Sequence, residues 1–143
     1  MSPVSNRDDD FALPIPRQYP LVKPGHYIGV TATVRKGNYN GARAYLVISF
    51  DVFESAEALG SGEEAIATGV PGFFNLESGP ASRYARLLRL LFPEGPPRSL
   101  RATDLVGKAL EVEVVTVECN SNGKTVPESG HYTKVSEVVG RVA

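Results

Sequence analysis

Cysteine and histidine are scarce in this chain: one cysteine, Cys119, and two imidazoles, His26 and His131, among 143 residues. A lone thiol makes no internal disulfide, and these three side chains cannot assemble a Cys/His zinc set. No apolar run approaches the ~20 residues that cross a bilayer. Met1 to Pro20 carries Asp8, Asp9 and Asp10 where a secretion signal needs a basic start and an apolar middle. The expectation is a soluble, cytoplasmic protein without membrane contact. Neither charge is in excess, the net being −1, so overall basicity gives no argument for nucleic-acid affinity. The glycine loop with lysine and serine that cradles phosphates, the Gly-x-Ser-x-Gly elbow and the His-Glu-x-x-His zinc helix are all missing as well.

What is present is enough for one domain. At 42% hydrophobic and 22% charged residues, a chain of this length buries roughly 65–70% of its unfolded surface and folds without a disulfide lattice or structural metal. The near-zero net charge hides segregation. Residues 21–50 hold Lys23, Arg35, Lys36 and Arg43 with no acid, whereas residues 51–65 hold Asp51, Glu54, Glu57, Glu63 and Glu64 with no base. A basic face is therefore compatible with a neutral total.

The first twenty residues join the acidic triplet to Pro3, Pro14, Pro16 and Pro20, a composition that disfavours a helix and has little to bury. Residues 1–20 are expected to form a flexible arm, and 21–143 the folded domain. Ile28, Val30, Ala32 and Val34 alternate with Tyr27, Gly29, Thr31, Thr33 and Arg35, which predicts a half-buried strand with the first set inward. The turn formers from Lys36 to Gly41 are expected to end it and lead into a second strand, Arg43 to Phe53. There Ala44, Leu46, Ile48, Phe50 and Val52 form an inner row, and Tyr45, Val47 and Phe53 an unusually apolar outer one. Gly60-Ser61-Gly62 marks a break before a third strand over Glu64 to Val70. Ser78 is the expected cap of a helix over Ala81 to Phe92, in which Tyr84, Leu87, Leu88 and Leu91 recur at helical spacing. Pro93, Gly95, Pro96 and Pro97 stop it, and a short turn through Asp104 and Leu105 precedes Gly107. The fourth strand is expected over Ala109 to Glu118, with a bulge or a switch of face at Val114-Val115. The fifth runs over Tyr132 to Val142.

Three strands, one helix and two strands is the element order of the oligonucleotide/oligosaccharide-binding (OB) fold. The expected class is therefore mainly β, a five-stranded OB-like barrel with one helix between strands 3 and 4. Gly25-His26-Tyr27-Ile28-Gly29-Val30, the strand Tyr45 to Phe53, the helix Tyr84-Ala85-Arg86-Leu87-Leu88, and Asp104-Leu105-Val106-Gly107-Lys108 leading to Val112-Glu113-Val114 follow one another in this order. Tyr132-Thr133-Lys134-Val135 closes the series. In this arrangement the chain resembles phage-type single-stranded DNA-binding proteins over about residues 21–140. The resemblance implies a barrel that holds single strands during replication or recombination of a phage or mobile element, with other replication or recombination proteins as partners. The acidic C-terminal tail that many such proteins use to recruit partners is not matched, since the chain ends Gly140-Arg141-Val142-Ala143.

Sequence-tolerant binding of single-stranded DNA or RNA needs cations along a groove and aromatic faces for bases. In an OB barrel the ligand crosses strands two and three, flanked by the loops joining strands one to two and four to five. That geometry selects Lys36, Tyr39 and Arg43 at the first loop, Tyr45 on strand two, and Lys124 and His131 at the second loop. Phe53 and Phe73 are weaker candidates, since strand-end aromatics are more often packing. Arg83, Arg86 and Arg89 fan around one helix flank, as a solvated face, a phosphate track or a contact with an acidic partner. Two rivals remain. Tyr45, Val47 and Phe53 would suit a protein-interaction module or a homo-oligomer interface on the same barrel. The acids Asp51, Glu54, Glu57, Glu63 and Glu64 would suit a metal-dependent nuclease, for which no spacing argues. The reading reached from the residues is non-enzymatic and needs no cofactor or metal.

Overall fold

The computed structural model describes residues 12–13, 20–39, 43–77, 79–120 and 122–142. The expected arm therefore falls outside the described residues except for Ala12, Leu13 and Pro20. Five strands, β1 (Gly25–Tyr39), β2 (Arg43–Phe53), β3 (Ala67–Asn75), β4 (Ala109–Val117) and β5 (Tyr132–Arg141), close into a barrel in the order β1-β2-β3-β5-β4, with β4 returning to β1. A single helical turn, α1 (Ala56–Gly60), lies between β2 and β3, and one nine-residue helix, α2 (Arg83–Leu91), lies between β3 and β4. This is the mainly β, OB-like barrel that the element order predicts. Among the described residues no helix is long and apolar enough to cross a membrane.

The barrel interior is filled by Ile48, Phe50 and Val52 from β2, Val70 and Phe74 from β3, Leu110, Val112 and Val114 from β4, and Val135 and Val138 from β5. Each fully buried side chain of this kind stabilises the fold by about 1.5–3 kcal/mol. Leu87 and Leu91 of α2 close one end, with Tyr84 and Leu88 packed beside them. The helix starts two residues later than expected, and its cap lies one turn further on. Ser82, not Ser78, caps α2, its hydroxyl accepting the Ala85 N–H at 3.1 Å; Ser78 lies outside the described residues.

The alternation of β1 reverses part-way. Gly29 stands opposite Val52 and Thr31 opposite Phe50, and the register shifts between Thr31 and Thr33 before Val34 meets Ile48. Tyr27, Gly29 and Thr31 therefore face inward, and Ile28, Val30 and Ala32 do not form the inner row expected of them. Two contacts explain the choice. A Cβ on Gly29 would stand 3.0 Å from Phe50 and 3.2 Å from Val112, so the glycine leaves room for those two side chains to meet. Thr31, wholly buried, offers its hydroxyl to the Leu105 carbonyl and accepts the Lys108 N–H at 2.9 Å, which meets the requirement that a buried hydroxyl be paired. Its carbonyl takes the Gly107 N–H at 2.7 Å, and Gly107 reaches that position at φ +80°, a conformation that favours glycine.

β1 also continues through the expected turn, because Lys36 pairs with Leu46 and Asn38 with Ala44 in an extended hairpin. β3 starts later than the expected Glu64 and runs on through Pro71 to Asn75. Along β3 the backbone groups alternate between β2 and β5: the Ile66 and Leu76 N–H groups serve β2 carbonyls, whereas the Phe73 carbonyl is bonded on the other side. Pro71 shares the side of Phe73, so its missing N–H removes no bond to β2. The bulge expected at Val114-Val115 belongs instead to β5. Glu111 and Val112 pair with Gly140 and Val138, and Glu113 and Val114 with Glu137 and Val135. Val139 and Ser136 are the extra residues, while β4 alternates without interruption.

Candidate functional site

A groove of about 320 Å³ runs over the outer surface of the barrel, lined by Arg35 of β1, Val47 and Ser49 of β2, Gly69, Pro71 and Phe73 of β3, and Tyr132 of β5. The register explains why these residues meet. Arg35 pairs with Val47 and Val47 with Phe73, so one cation, one aliphatic floor and one ring stand in a row across three strands. Val47, 7% exposed, is covered by its neighbours although it points away from the interior. Thr133 and Val135 are buried and Tyr132 and Lys134 alternate with them, which places Tyr132 and the half-buried Lys134 on the outer side of β5. No described residue accepts a hydrogen bond or ion pair from Arg35.

The six residues selected from the sequence are distributed differently. Tyr45 is on the outer side of β2, opposite Gly37 and Asn75. Its ring crosses the Gly37 backbone so closely that a Cβ there would stand 2.5 Å from Cζ. Lys36 is exposed but stands opposite Leu46, a core residue, so its register places it at the barrel rim and not in the groove row. Tyr39 and Arg43 pair at the hairpin end, and their side chains lie outside the described part of the structure. Lys124 is exposed in the β4–β5 loop, whose backbone is organised by Asn120: its Oδ1 accepts the N–H groups of Asn122 and Lys124 at 2.9 and 3.1 Å. His131, half-buried, places Nε2 3.0 Å from the Val126 carbonyl, which ties it to its own loop.

Phe73, expected as a lesser candidate, lies in the groove, whereas Phe53 is at the far end of β2 opposite Ile28. Arg35 and Tyr132, the cation and the second ring of the groove, are not among the residues selected from the sequence, nor are Ser49, Gly69 and Pro71. A signal existed for Arg35, which stands on the outer side of the alternation in the second half of β1. Tyr132 had only its place at the start of the last strand.

The helix arginines are committed. Arg83 donates to the Phe73 and Ser136 carbonyls at 2.9 and 2.8 Å, Arg86 pairs with Glu137 at 3.5 Å, and Arg89 donates to the Pro80 carbonyl at 2.9 Å. Each of the three guanidiniums, though exposed, thus has a partner within the protein.

A second hollow, about 260 Å³, is lined by His26, Tyr27, Ile28, Glu54, Ser55 and Glu111. His26 Nε2 lies 3.2 Å from Glu113 Oε2. Partial burial raises the Tyr27 phenol above its ordinary value, and the Glu54 charge adds to the rise. Among the described residues no three His, Cys, Asp or Glu side chains are grouped to hold a metal. No protein-family model matches this chain, and no curated protein matches it in sequence.

Proposed function

We propose that this domain binds single-stranded nucleic acid along the outer face of β2 and β3, by stacking and phosphate contacts and without catalysis. The observation that carries the reading is the groove in which Arg35, Phe73 and Tyr132 converge. It lies on the face that OB barrels use for oligonucleotides. It combines a guanidinium able to pair with phosphate and flat rings on which any base can stack, each stacked base contributing about 1–3 kcal/mol. The resemblance to phage-type single-stranded DNA-binding proteins agrees with it. The interaction-module reading ranks second, because the outer row from Tyr45 to Phe53 is interrupted by Ser49 and Asp51 and its Val47 is already covered.

Titration of a fluorescent dT₃₀ oligonucleotide and its duplex with pure protein, read by anisotropy at two salt concentrations, tests the proposal. Preference for the single strand, weakening as salt rises, is expected. Absence of binding to either at micromolar protein overturns it and leaves the interaction module.

A further inference from the structure

The weakest seam of the barrel runs behind the groove. β3 and β5 pair in parallel at one position only, Gly72 opposite Val135, whereas every other neighbouring pair of strands shares a ladder of several residues. Beyond Gly72, the Phe73 carbonyl faces β5 with no β5 residue in register to serve it. Arg83 fills the gap. Its Nη1 donates to the Phe73 carbonyl at 2.9 Å and its Nη2 to the Ser136 carbonyl at 2.8 Å. Ser136 is the extra residue of the first β5 bulge, and its own hydroxyl is bonded to Glu113.

The guanidinium is held from below as well. It stands 5.0 Å from the centroid of the Phe74 ring, within the range of a cation–π contact. Ser82 caps α2 immediately before it, so the helix start fixes where the arginine leaves the backbone. A planar fork with two parallel donors suits two carbonyls on adjacent strands, whereas a lysine ammonium offers no such fixed spacing. Arg83 does not line the groove, yet the residue whose carbonyl it holds does, and Tyr132 lines it from the other side of the same seam.

We propose that Arg83 is a positioning residue for the binding groove, setting the separation between Phe73 on β3 and the outer residues of β5 without touching the ligand. This rests on the single-strand reading above. If the fork is what matters, charge alone does not replace it.

Arg83→Lys, which keeps the charge and most of the stem over Phe74, and Arg83→Ala are compared with the wild-type chain by dT₃₀ anisotropy across a salt series. Amide hydrogen exchange is followed on the same samples, under conditions where circular dichroism shows each to be folded. Both variants are expected to bind roughly tenfold more weakly, the scale of one misplaced stacking ring. The slope of log affinity against log salt stays that of the wild type. Exchange accelerates in β3 and β5 next to the seam and not in the β1–β2 hairpin. Wild-type affinity in Arg83→Lys, or a slope lowered by about one unit as for a lost phosphate contact, overturns the positioning role. So does faster seam exchange with unchanged affinity, which would make Arg83 a staple of the fold alone. No binding by the wild-type chain overturns the single-strand reading itself, whereas normal wild-type binding with unaltered variants overturns only the role of Arg83.

Discussion

Two hollows of similar size open on this barrel, and β1 contributes to both. Its second half places Arg35 beside Phe73 and Tyr132 in one; its first half places His26, Tyr27 and Ile28 beside Glu54 and Glu111 in the other. Volume does not separate them, since about 320 Å³ and about 260 Å³ would each take a nucleotide-sized fragment. Charge and ring content do. A phosphate entering the first meets a guanidinium, and one entering the second meets two carboxylates with a third, Glu113, paired to His26. Glu54 of the acidic block after Phe50 thus lines one hollow, and Arg35 of the basic block before it lines the other.

The largest expected break in this contrast comes from Phe73→Ala. The ring is half-buried on the outer side of β3, so the fold persists while dT₃₀ affinity falls by about 2 kcal/mol, roughly thirtyfold, as for one lost stacked base. Unchanged affinity in the anisotropy assay would show that bases do not stack there. Arg35→Ala comes next. Affinity falls severalfold, and the slope of log affinity against log salt drops by about one unit, the signature of one phosphate contact removed. Arg86→Ala serves as its counterpart on the helix. It breaks an exposed ion pair worth about 0–1 kcal/mol and leaves both affinity and slope where they were. A slope change in Arg86→Ala would move the nucleic-acid path to α2.

The two halves of β1 also differ in how far the amino-acid sequence alone reveals them, and other strands set the scale. The inner row of β2 is legible because five apolar side chains alternate without interruption; β4 is legible only in part, because its apolar pair Val114-Val115 reads as an irregularity that in fact belongs to β5. The first half of β1 is not, because its inward set is Tyr27, Gly29 and Thr31, which alternation scores as the polar side. Only the tertiary partners, Phe50 and Val112 against the glycine and Leu105 against the threonine, make that side the interior. The groove shows the same limit. Proximity to loops in sequence selects Lys36, Lys124 and His131, whereas the residues that converge do so through cross-strand register, which a one-residue bulge at Ala32 decides. Likewise, three arginines at spacing three look alike in sequence. The carbonyls of Phe73, Ser136 and Pro80 and the carboxylate of Glu137 that occupy them lie on other elements or in the preceding turn.

The acidic hollow gives the smallest effect and the sharpest control. Burial and the charge of Glu54 both raise the Tyr27 phenol above its ordinary 10.0, so in alkaline solution the unfolded chain loses that proton before the folded chain does. The stabilising contribution is complete below pH 10 and is lost as pH rises through the folded value. Tyr27→Phe removes a titrating group, and with it the bond to the Lys23 carbonyl at 2.7 Å; its denaturation midpoint is therefore slightly lower at neutral pH but declines less steeply above pH 10 than that of the wild type. Glu54→Gln keeps the phenol and removes the lesser cause, so its alkaline decline lies between the two. Neither change touches Arg35, Phe73 or Tyr132, and dT₃₀ affinity at neutral pH stays that of the wild type. A gain in affinity on neutralising Glu54 would mean that the strand passes close enough to the acidic end to be repelled by it, and the two hollows would then belong to one path.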